Sequence, residues 1–385
     1  MKIGIEAQRI FRKKKHGMDM VALELIRNLQ IIDKENEYFI FVKPDADDLV
    51  IEESANFKIV RLEGGFYPIW EQFALPRAAK KEGCEILHCT SNTAPVFTKI
   101  PMVVTLHDII YMESSYLKIL KGSGTLYQKF GNLYRKIFVP KIVKMSKKII
   151  TVSNFEKNRI GEFFGMAGNP KLEAVYNGVS EHFKIVSNQE ELNRVKEKYH
   201  LPDHYFFFLG NTDPKKNTKG VLKAFSDFLT ETGSDIKLVM LDYDRDELEK
   251  LVNEIGDLGL LDKIVLTGYV VNTDLPAIYC QCEVFLYPSL RESFGIPMLE
   301  AMGCGVPVIT SNTSSMPEVA GDAAFITDPY KPEEITAAMI RILSDNDLKT
   351  SLIKKGLVQA SKFSWMSMAE NVLSIYGKLE KTGYK

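Results

Sequence analysis

The stretch Pro288–Ile309, PSLRESFGIPMLEAMGCGVPVI, decides the fold of the second half of the chain. Pro297 suits the first turn of a helix, because its missing N–H would have no partner there, and Gly303 and Gly305 suit the helix exit. The β-branched run from Val306 to Ile309 then predicts a buried strand. The stretch therefore predicts a loop, a short helix and a strand, the repeating unit of an α/β sheet.

Two glutamates, Glu292 and Glu300, lie on either side of this helix start. Glu292 falls in the loop before the helix, and Glu300 falls about one turn inside it. The first N–H groups of a helix have no partner within it and attract an anion; here Phe294, Gly295 and Ile296 supply them. An anion with a carboxylate on each side, where hydroxyls can bind, indicates a nucleotide sugar, whose phosphates are flanked by polyols.

Length and composition narrow the class of protein. The 385 residues suffice for two domains, and 45% hydrophobic with 26% charged residues is typical of a soluble globular chain. A net charge of −1 gives no general attraction to nucleic acid. The chain enters a predicted strand at Met1–Ile5 without a visible signal peptide, and its five cysteines lack zinc spacing. We therefore expect a cytoplasmic protein that binds no nucleic acid.

Short β-rich runs alternate with helical periods along the whole chain. This alternation predicts parallel sheets with helices on both faces. The series restarts near residue 200, after the turn at Asn177 and Gly178, so we predict two doubly wound, Rossmann-like α/β domains. Ligands bind beyond the carboxyl ends of the strands in such sheets. The predicted strands are Lys2–Glu6, Tyr38–Val42, Phe57–Val60, Ile86–Cys89, Met102–Leu106, Ile149–Val152, Tyr205–Leu209, Ile236–Leu241, Lys263–Leu266, Val284–Tyr287, Val306–Thr310 and Ala324–Ile326.

Basic side chains follow two of these strands. Lys215 and Lys216 come after the strand that ends near Gly210, where a paired lysine turn is a reasonable phosphate cradle; a solvated lysine pair is the alternative. His107 follows an apolar strand and precedes Asp108, which could fix the tautomer of the ring. A lone histidine is more often structural than catalytic, so its position at a strand end is the reason to single it out.

Taken together, these residues resemble the donor-binding motif of retaining glycosyltransferases of family 4, which have the two-domain GT-B fold. The E-x7-E pattern of that family is present as Glu292 and Glu300, within a Ser293–Pro297 corner, and Ser315–Val319 continues the likeness. The resemblance covers nearly the whole chain. It implies an acceptor-side domain at 1–183, a donor-binding domain at 184–363 facing it across a cleft, and a last helix at 364–385 that crosses back to the first domain.

The resemblance also implies roles for single residues. Glu292 would bind hydroxyls of the donor sugar and Glu300 those of the ribose, while Lys216, with Lys215 in place of a common arginine, would neutralise the diphosphate. Gly17 matches a phosphate loop in which Asp19 replaces a second glycine; because a carboxylate would repel a diphosphate, this loop would instead face the acceptor. The implied catalytic residues are Glu292, His107 and Lys216, and the donor-binding residues are Lys215, Lys216, Val270, Ser293, Phe294, Gly295, Glu300 and Gly17.

The function implied is transfer of a hexosyl unit, with mannosyl as first candidate, from a nucleoside-diphosphate sugar to a glycan or lipid-linked glycan in cell-surface polysaccharide synthesis. The anomeric configuration would be retained. No cofactor or metal is expected, because lysines can neutralise the diphosphate. Three alternatives stay open: a nucleotide-sugar 2-epimerase of the same architecture, a storage-glucan synthase, and a non-catalytic sugar-nucleotide binding subunit.

One segment stands apart by its charge. Between Ser114 and Phe155 there are nine basic residues and no acidic one, with aromatic residues interleaved. A solvated basic face on a core helix is one interpretation. The other is that residues 116–148 rest on an anionic membrane surface, which would make the protein peripheral on the inner face of the plasma membrane.

Overall fold

The computed structural model describes residues 1–113 and 126–381. The chain forms two compact units, Met1–Asn177 with Trp365–Lys385, and Gly178–Ser364. The first unit thus ends at Asn177 rather than at residue 183, and the last helix belongs to it. In the described residues no helix combines the length and apolar character needed to cross a membrane.

The N-terminal unit is built on a seven-stranded parallel sheet with the order β3-β2-β1-β4-β5-β6-β7. Six of its strands match predicted runs to within a residue or two. The seventh was missed, because three residues with a glutamate at their centre give no recognisable β pattern. The strands are β1 Lys2–Glu6, β2 Glu37–Val42, β3 Phe57–Arg61, β4 Ile86–Cys89, β5 Met102–Leu106, β6 Lys148–Thr151 and β7 Leu172–Ala174.

Helices connect these strands. A π-helical turn, Trp70–Ala74, separates α2 from α3. The described helices of this part of the chain are α1 Gly17–Ile32, α2 Tyr67–Ile69, α3 Leu75–Glu82, α4 Ile110–Glu113, α5 Leu126–Met145 and α6 Asn154–Phe163.

The C-terminal unit is built on a six-stranded parallel sheet with the order β10-β9-β8-β11-β12-β13. Its strands are β8 Tyr205–Phe208, β9 Lys237–Met240, β10 Ile264–Leu266, β11 Val284–Tyr287, β12 Val308–Ser311 and β13 Phe325–Thr327. Its helices are α7 Gln189–Lys198, α8 Thr218–Thr232, α9 Arg245–Ile255, α10 Leu275–Gln281, α11 Ile296–Gly303, α12 Met316–Ala320, α13 Pro332–Ser344 and α14 Asn346–Ala360, with short 3-10 turns at Pro214–Lys216, Leu258–Lys263 and Asn272–Asp274.

Both sheets reverse their winding at one place, and this confirms the doubly wound α/β class. In the first, the chain runs from β1 outward to β3 and then returns to the other side of β1 as β4; in the second, β8 and β11 are the corresponding neighbours. The loops beyond these strand pairs frame a crevice at the carboxyl edge of the sheet, the usual binding place in such folds. Lys216 follows β8 and Glu292 follows β11, so the topology brings their loops together.

The last helix, α15 Trp365–Lys381, packs its apolar face on the N-terminal unit. His88, on β4, is completely buried and bridges the helix to the sheet: its Nδ1 lies 2.6 Å from the hydroxyl of Tyr376 and its Nε2 2.8 Å from Oγ1 of Thr105. Burial lowers the pKa of His88 to about 3, so the ring stays neutral at physiological pH. A polar clamp inside the core thus fixes the position of the helix.

Candidate active site

Lys216 and Glu292 form an ion pair at the switch point of the second sheet. The ammonium Nζ lies 2.6 Å from Oε1 of Glu292, and the two side chains are only 15% and 12% exposed. The same Nζ lies 3.3 Å from the hydroxyl of Tyr287 and 5.0 Å from the centroid of its ring. A cation–π contact on a buried ring adds to the ion pair. The structure therefore holds a cation and a carboxylate in fixed relation where β8 and β11 end.

The loop after β8 is fastened to the loop after β11, and this positions Lys216. Asn217 takes a left-handed conformation, with φ of 61°. Its side-chain amide donates to the carbonyls of Pro288, at 3.1 Å, and Pro329, at 2.7 Å. Lys215 contributes its carbonyl to the N–H of Leu290, whereas its ammonium is 3.5 Å from Asp213. Lys216, rather than Lys215, is thus the lysine that contacts the predicted carboxylate.

The start of α11 requires glycine at position 295. Gly295 has φ of +103°, a region that residues with a side chain rarely adopt, and an added Cβ would come within 3.2 Å of the Met316 side chain. Ser315 Oγ contacts the carbonyls of Glu292 and Phe294, at 3.0 and 3.2 Å. Ser314 Oγ accepts the N–H of Glu292 at 3.0 Å. These serines fix the backbone around Glu292, a role that the sequence did not reveal.

Glu300 lies one turn inside α11, half-buried. Its Oε2 accepts a hydrogen bond from the hydroxyl of Tyr279 at 3.2 Å. Burial raises the pKa of Glu300 to about 7, and the bond from Tyr279 acts in the opposite direction. A ligand whose hydroxyls donate to this carboxylate would favour its charged form and lower the pKa. The Glu300 carboxylate can therefore accept hydrogen bonds from hydroxyl groups, but it is also protonated readily near neutral pH.

Val270 lies in the loop after β10, at the same carboxyl edge but two strands away from β8. Its side chain is buried, so its backbone is the part that it can offer to a ligand. The adjacent N–H of Val271 donates to the hydroxyl of Tyr199 at 3.4 Å, and Tyr199 in turn donates to Asp274. Although burial raises the pKa of Asp274, hydrogen bonds from Lys198, Arg194 and Tyr199 bring it to about 2. A charged cluster therefore anchors this loop.

In the N-terminal unit, His107 is buried just beyond β5. Its Nε2 lies 2.9 Å from the carbonyl of Thr90, which can only accept, so Nε2 carries the proton and Nδ1 is an acceptor. Burial lowers the pKa of His107, partly offset by the bond to Thr90. The Thr90 carbonyl orients the ring, whereas Oδ1 of Asp108 accepts the N–H of Ile110 at 3.1 Å and the charge of Asp108 acts to raise the pKa of His107.

The first loop also differs from the expectation. Asp19 is buried at the start of α1, where Oδ1 lies 3.2 Å from Nε of Arg9 and Oδ2 accepts the N–H of His16 at 3.0 Å. Its charge is balanced within the loop, so the argument that it would repel a diphosphate does not hold. Apart from its chain neighbours and the backbone of its own helix, Gly17 has no heavy atom of the described chain within 4 Å of the position a Cβ would occupy. Nothing in the local packing explains a glycine there, and the space above it is open to a ligand.

The structure thus gathers the predicted site residues into two groups, each at the carboxyl edge of its own sheet. Within the described ranges no three or more His, Cys, Asp or Glu side chains are arranged to hold a metal ion. The group in the C-terminal unit contains Lys215, Lys216, Val270, Glu292, Ser293, Phe294, Gly295 and Glu300, and the group in the N-terminal unit contains His107 and Gly17.

Part of the basic segment can also be placed. Residues 116–125 and the side chain of Tyr127 lie outside the described part of the chain. Helix α5 and the α2 region form an apolar groove of about 340 Å³. Tyr134 belongs to the core, because its hydroxyl bonds to the buried Glu71. The groove is lined by Pro68, Ile69, Gln72, Phe73, Phe97, Phe130, Leu133, Tyr134, Ile137 and Phe138.

Family comparisons match both halves of the chain. Residues 16–183 match the family described as Glycosyltransferase Family 4, and residues 189–358 match Glycosyl transferases group 1. Among curated relatives, the O-antigen chain mannosyltransferase B of Escherichia coli is 34% identical over 235 residues, 60% of each chain. The O-antigen chain mannosyltransferase RfbU of Salmonella typhimurium is 26% identical over 71% of this chain and 69% of its own. The chain thus aligns with under two thirds of the first relative's length.

Solved structures share the fold along almost the whole chain. A glycosyltransferase from Rickettsia africae has a TM-score of 0.73 at 18% identity, covering 99% of this chain and 98% of its own. Anabaena Alr3699/HepE, solved in complex with UDP and glucose, also has a TM-score of 0.73, at 16% identity, covering 98% of this chain and all of its own. At such low identity these matches establish the GT-B architecture alone.

Proposed function

Because the chain belongs to the glycosyltransferases of family 4, we propose that it transfers a hexosyl unit, with retention of configuration, from a nucleoside-diphosphate sugar to a hydroxyl of a glycan or lipid-linked glycan. The observation that carries the proposal is the pairing of Lys216 with Glu292 at 2.6 Å, at the switch point of a doubly wound sheet. This arrangement supplies a cation for phosphate and a carboxylate for hydroxyls at one place. Glu300, on the same helix, supplies a second carboxylate.

Departure of the diphosphate is the chemical problem that the site must solve. Negative charge grows on the phosphate oxygen as its bond to the anomeric carbon breaks. Lys216 and the first amides of α11 would stabilise that charge, which is usually the largest catalytic contribution. Lys215, which is more exposed, would contribute less. Since cationic side chains fill this role, we propose that the reaction needs no metal.

The proposed step exchanges one bond for another on the same face of the sugar. The bond from the anomeric carbon to the diphosphate breaks, the acceptor oxygen bonds to that carbon, and the acceptor proton passes to the departing phosphate oxygen. Glu292 is proposed to hold donor-sugar hydroxyls rather than to attack the sugar, because its carboxylate is already paired with the Lys216 ammonium. His107 would accept a sugar hydroxyl through Nδ1.

The names of the relatives favour particular substrates. Two are O-antigen chain mannosyltransferases, so we propose mannose as the transferred sugar and cell-surface polysaccharide as the product. The base of the nucleotide has no such support, because the Anabaena protein was solved with UDP and glucose. Base and sugar therefore have to be tested separately.

We also propose that the protein rests on an anionic membrane, where lipid-linked acceptors reside. Ile69 and Phe97, on the apolar groove, are 60% and 69% exposed. Cations flank the same groove: the guanidinium of Arg77 lies 5.7 Å from the ring centroid of Phe73, and the ammonium of Lys141 lies 6.0 Å from that of Phe138. Exposed apolar side chains beside cations suit the boundary between acyl chains and anionic headgroups.

The test begins with nucleotide binding. Thermal unfolding would be measured with UDP, GDP, ADP and CDP in turn, with EDTA present; a ligand at 100 times its Kd adds about 2.7 kcal/mol to the stability. The stabilising base then defines a panel of sugar nucleotides for transfer to a lipid-linked glycan. Transfer that survives EDTA supports the proposal. Epimerised sugar and free nucleotide without acceptor would identify an epimerase, and no binding with any base would refute the assignment.

A further inference from the structure

Two buried tyrosines lie beside the two glutamates of the E-x7-E pattern. Tyr287, at the end of β11, accepts a hydrogen bond from Nζ of Lys216 at 3.3 Å, and the same Nζ is paired with Oε1 of Glu292. Tyr279, on α10, donates to Oε2 of Glu300 at 3.2 Å and lies 3.4 Å from the carbonyl of Pro297. A phenol therefore contacts Glu300 directly, and a second phenol contacts the lysine that pairs with Glu292.

The rings of these tyrosines belong to the hydrophobic core, but packing of the core does not require their hydroxyl groups. Both rings pack on Phe285, with centroids at 5.2 and 5.6 Å, and a phenylalanine would fill the same space. A buried hydroxyl costs free energy unless it is hydrogen-bonded, and here the partners are site residues. Tyr205 offers a contrast in the same unit: its buried hydroxyl donates to the backbone carbonyl of Ile278 at 2.6 Å.

We propose that Tyr287 and Tyr279 are positioning residues of the donor site, Tyr287 acting through Lys216 and Tyr279 through Glu300. Tyr287 fixes the Lys216 ammonium, and through that ion pair the Glu292 carboxylate, and so governs the geometry at the reacting sugar and the leaving diphosphate. Tyr279 fixes the Glu300 carboxylate against the first turn of α11, and so governs how the ribose is held. This inference rests on the proposed function and adds residues that the motif itself does not contain.

The two hydroxyls are expected to affect different kinetic constants. Loss of the Tyr287 hydroxyl loosens groups that act as the bond to the diphosphate breaks, so kcat falls. Loss of the Tyr279 hydroxyl loosens a contact made equally before and during reaction, so the KM for the donor rises. Each substitution removes one hydrogen bond to a charged group but leaves the charged group itself in place, so we expect about a tenfold effect in each case.

The hydroxyl of Tyr279 is also expected to affect the pH dependence of donor binding. The titratable groups around Glu300 are Tyr279, Tyr287 and Cys304. Burial raises the pKa of both phenols, and a hydrogen bond with Cys280 together with burial raises that of Cys304, so all three are neutral near pH 7. The bond from Tyr279 lowers the pKa of Glu300. Its removal should therefore raise that pKa, and donor binding should weaken at a higher pH than in the natural protein.

The experiment compares Tyr279→Phe, Tyr287→Phe and the control Tyr205→Phe with the natural protein. For each, kcat and donor KM are measured at saturating acceptor across neutral pH, and thermal unfolding is recorded. The acid limb of kcat/KM reports the free enzyme, so Tyr279→Phe should move this limb to higher pH. Tyr287→Phe should lower kcat without moving the limb. Tyr205→Phe should change stability alone.

The outcomes separate this inference from the proposed function. A natural protein that neither binds a nucleotide nor transfers sugar overturns the proposed function itself. A natural protein that transfers sugar, with both site variants behaving like Tyr205→Phe, overturns the inference alone. If Tyr287→Phe does not fold, the position of the acid limb in Tyr279→Phe still decides, because lost packing would lower activity without moving that limb.

Discussion

The Nζ of Lys216 lies 2.6 Å from Oε1 of Glu292, so each residue already neutralises the other. Removal of one partner leaves the other partly buried and unpaired, which is more costly than removal of both. We expect Lys216→Met and Glu292→Gln each to lower the stability by about 1–3 kcal/mol, and the double variant to lose less than their sum. Chemical denaturation of the four proteins would measure the coupling, and additive losses would contradict it.

The same pair allows a prediction for catalysis. Lys216→Met removes the cation beside the growing phosphate charge, so kcat should fall about 100-fold or more. Lys215→Met, the matched control one residue earlier, should have a much smaller effect because its ammonium is more exposed and paired with Asp213. Steady-state transfer assays at saturating donor would compare them. Equal losses in the two variants would show that the charge does not act through Lys216.

The ionised Glu300 carboxylate is expected to lower the stability of the fold while it contributes to donor binding. Its pKa in the folded protein, about 7, lies above the ordinary value of 4.5, so ionisation opposes folding. This penalty is complete above pH 7, diminishes as the pH falls, and is absent below about 4.5. Glu300→Gln should therefore raise the free energy of unfolding at pH 8, by at most about 3 kcal/mol, and much less at pH 5, with a matching rise in melting temperature. The same variant should raise the KM for the donor.

Thermal unfolding at the two pH values would check the Glu300 prediction. Glu231→Gln, an exposed glutamate of the same unit, is the control and should show no such pH dependence. A stabilisation equal at both pH values would mean that ionisation of Glu300 is not its source. An unchanged KM for the donor would remove Glu300 from the binding site.

Sequence alone located the parts of this site that follow from strand order. The runs that became β8 and β11 were recognisable, so Lys216 and Glu292 could be expected just beyond strand ends, whereas the adjacency of those two strands is a finding of the structure. The side chains that orient them could not be predicted in this way. Tyr279 looks like any core residue on a helix, and Ser315 acts through carbonyls more than twenty positions earlier in the chain. Such contacts depend on packing between elements, which no local pattern records.

The two glycines of the predicted site should respond differently to the same substitution. Gly295 has φ of +103° and lies close to Met316, so Gly295→Ala should cost about 1–3 kcal/mol of stability. Gly17 begins α1 with open space around it, so Gly17→Ala should leave the stability unchanged or slightly higher. Melting temperatures would test this contrast. If a ligand approaches Gly17 closely, Gly17→Ala should nevertheless raise the KM of one substrate.

The apolar groove beside α5 should bind anionic vesicles through both its apolar side chains and its charge. Burial of an exposed apolar side chain contributes about 1.5–3 kcal/mol, so Ile69→Ser combined with Phe97→Ser should weaken vesicle binding at least tenfold. Phe163→Ser, an exposed phenylalanine of the same unit outside the groove, should bind normally. Co-sedimentation with vesicles of phosphatidylglycerol or of phosphatidylcholine, at low and high salt, separates the two contributions. Binding that is equal for both lipids would exclude the charge, and binding that survives the double substitution would exclude the groove.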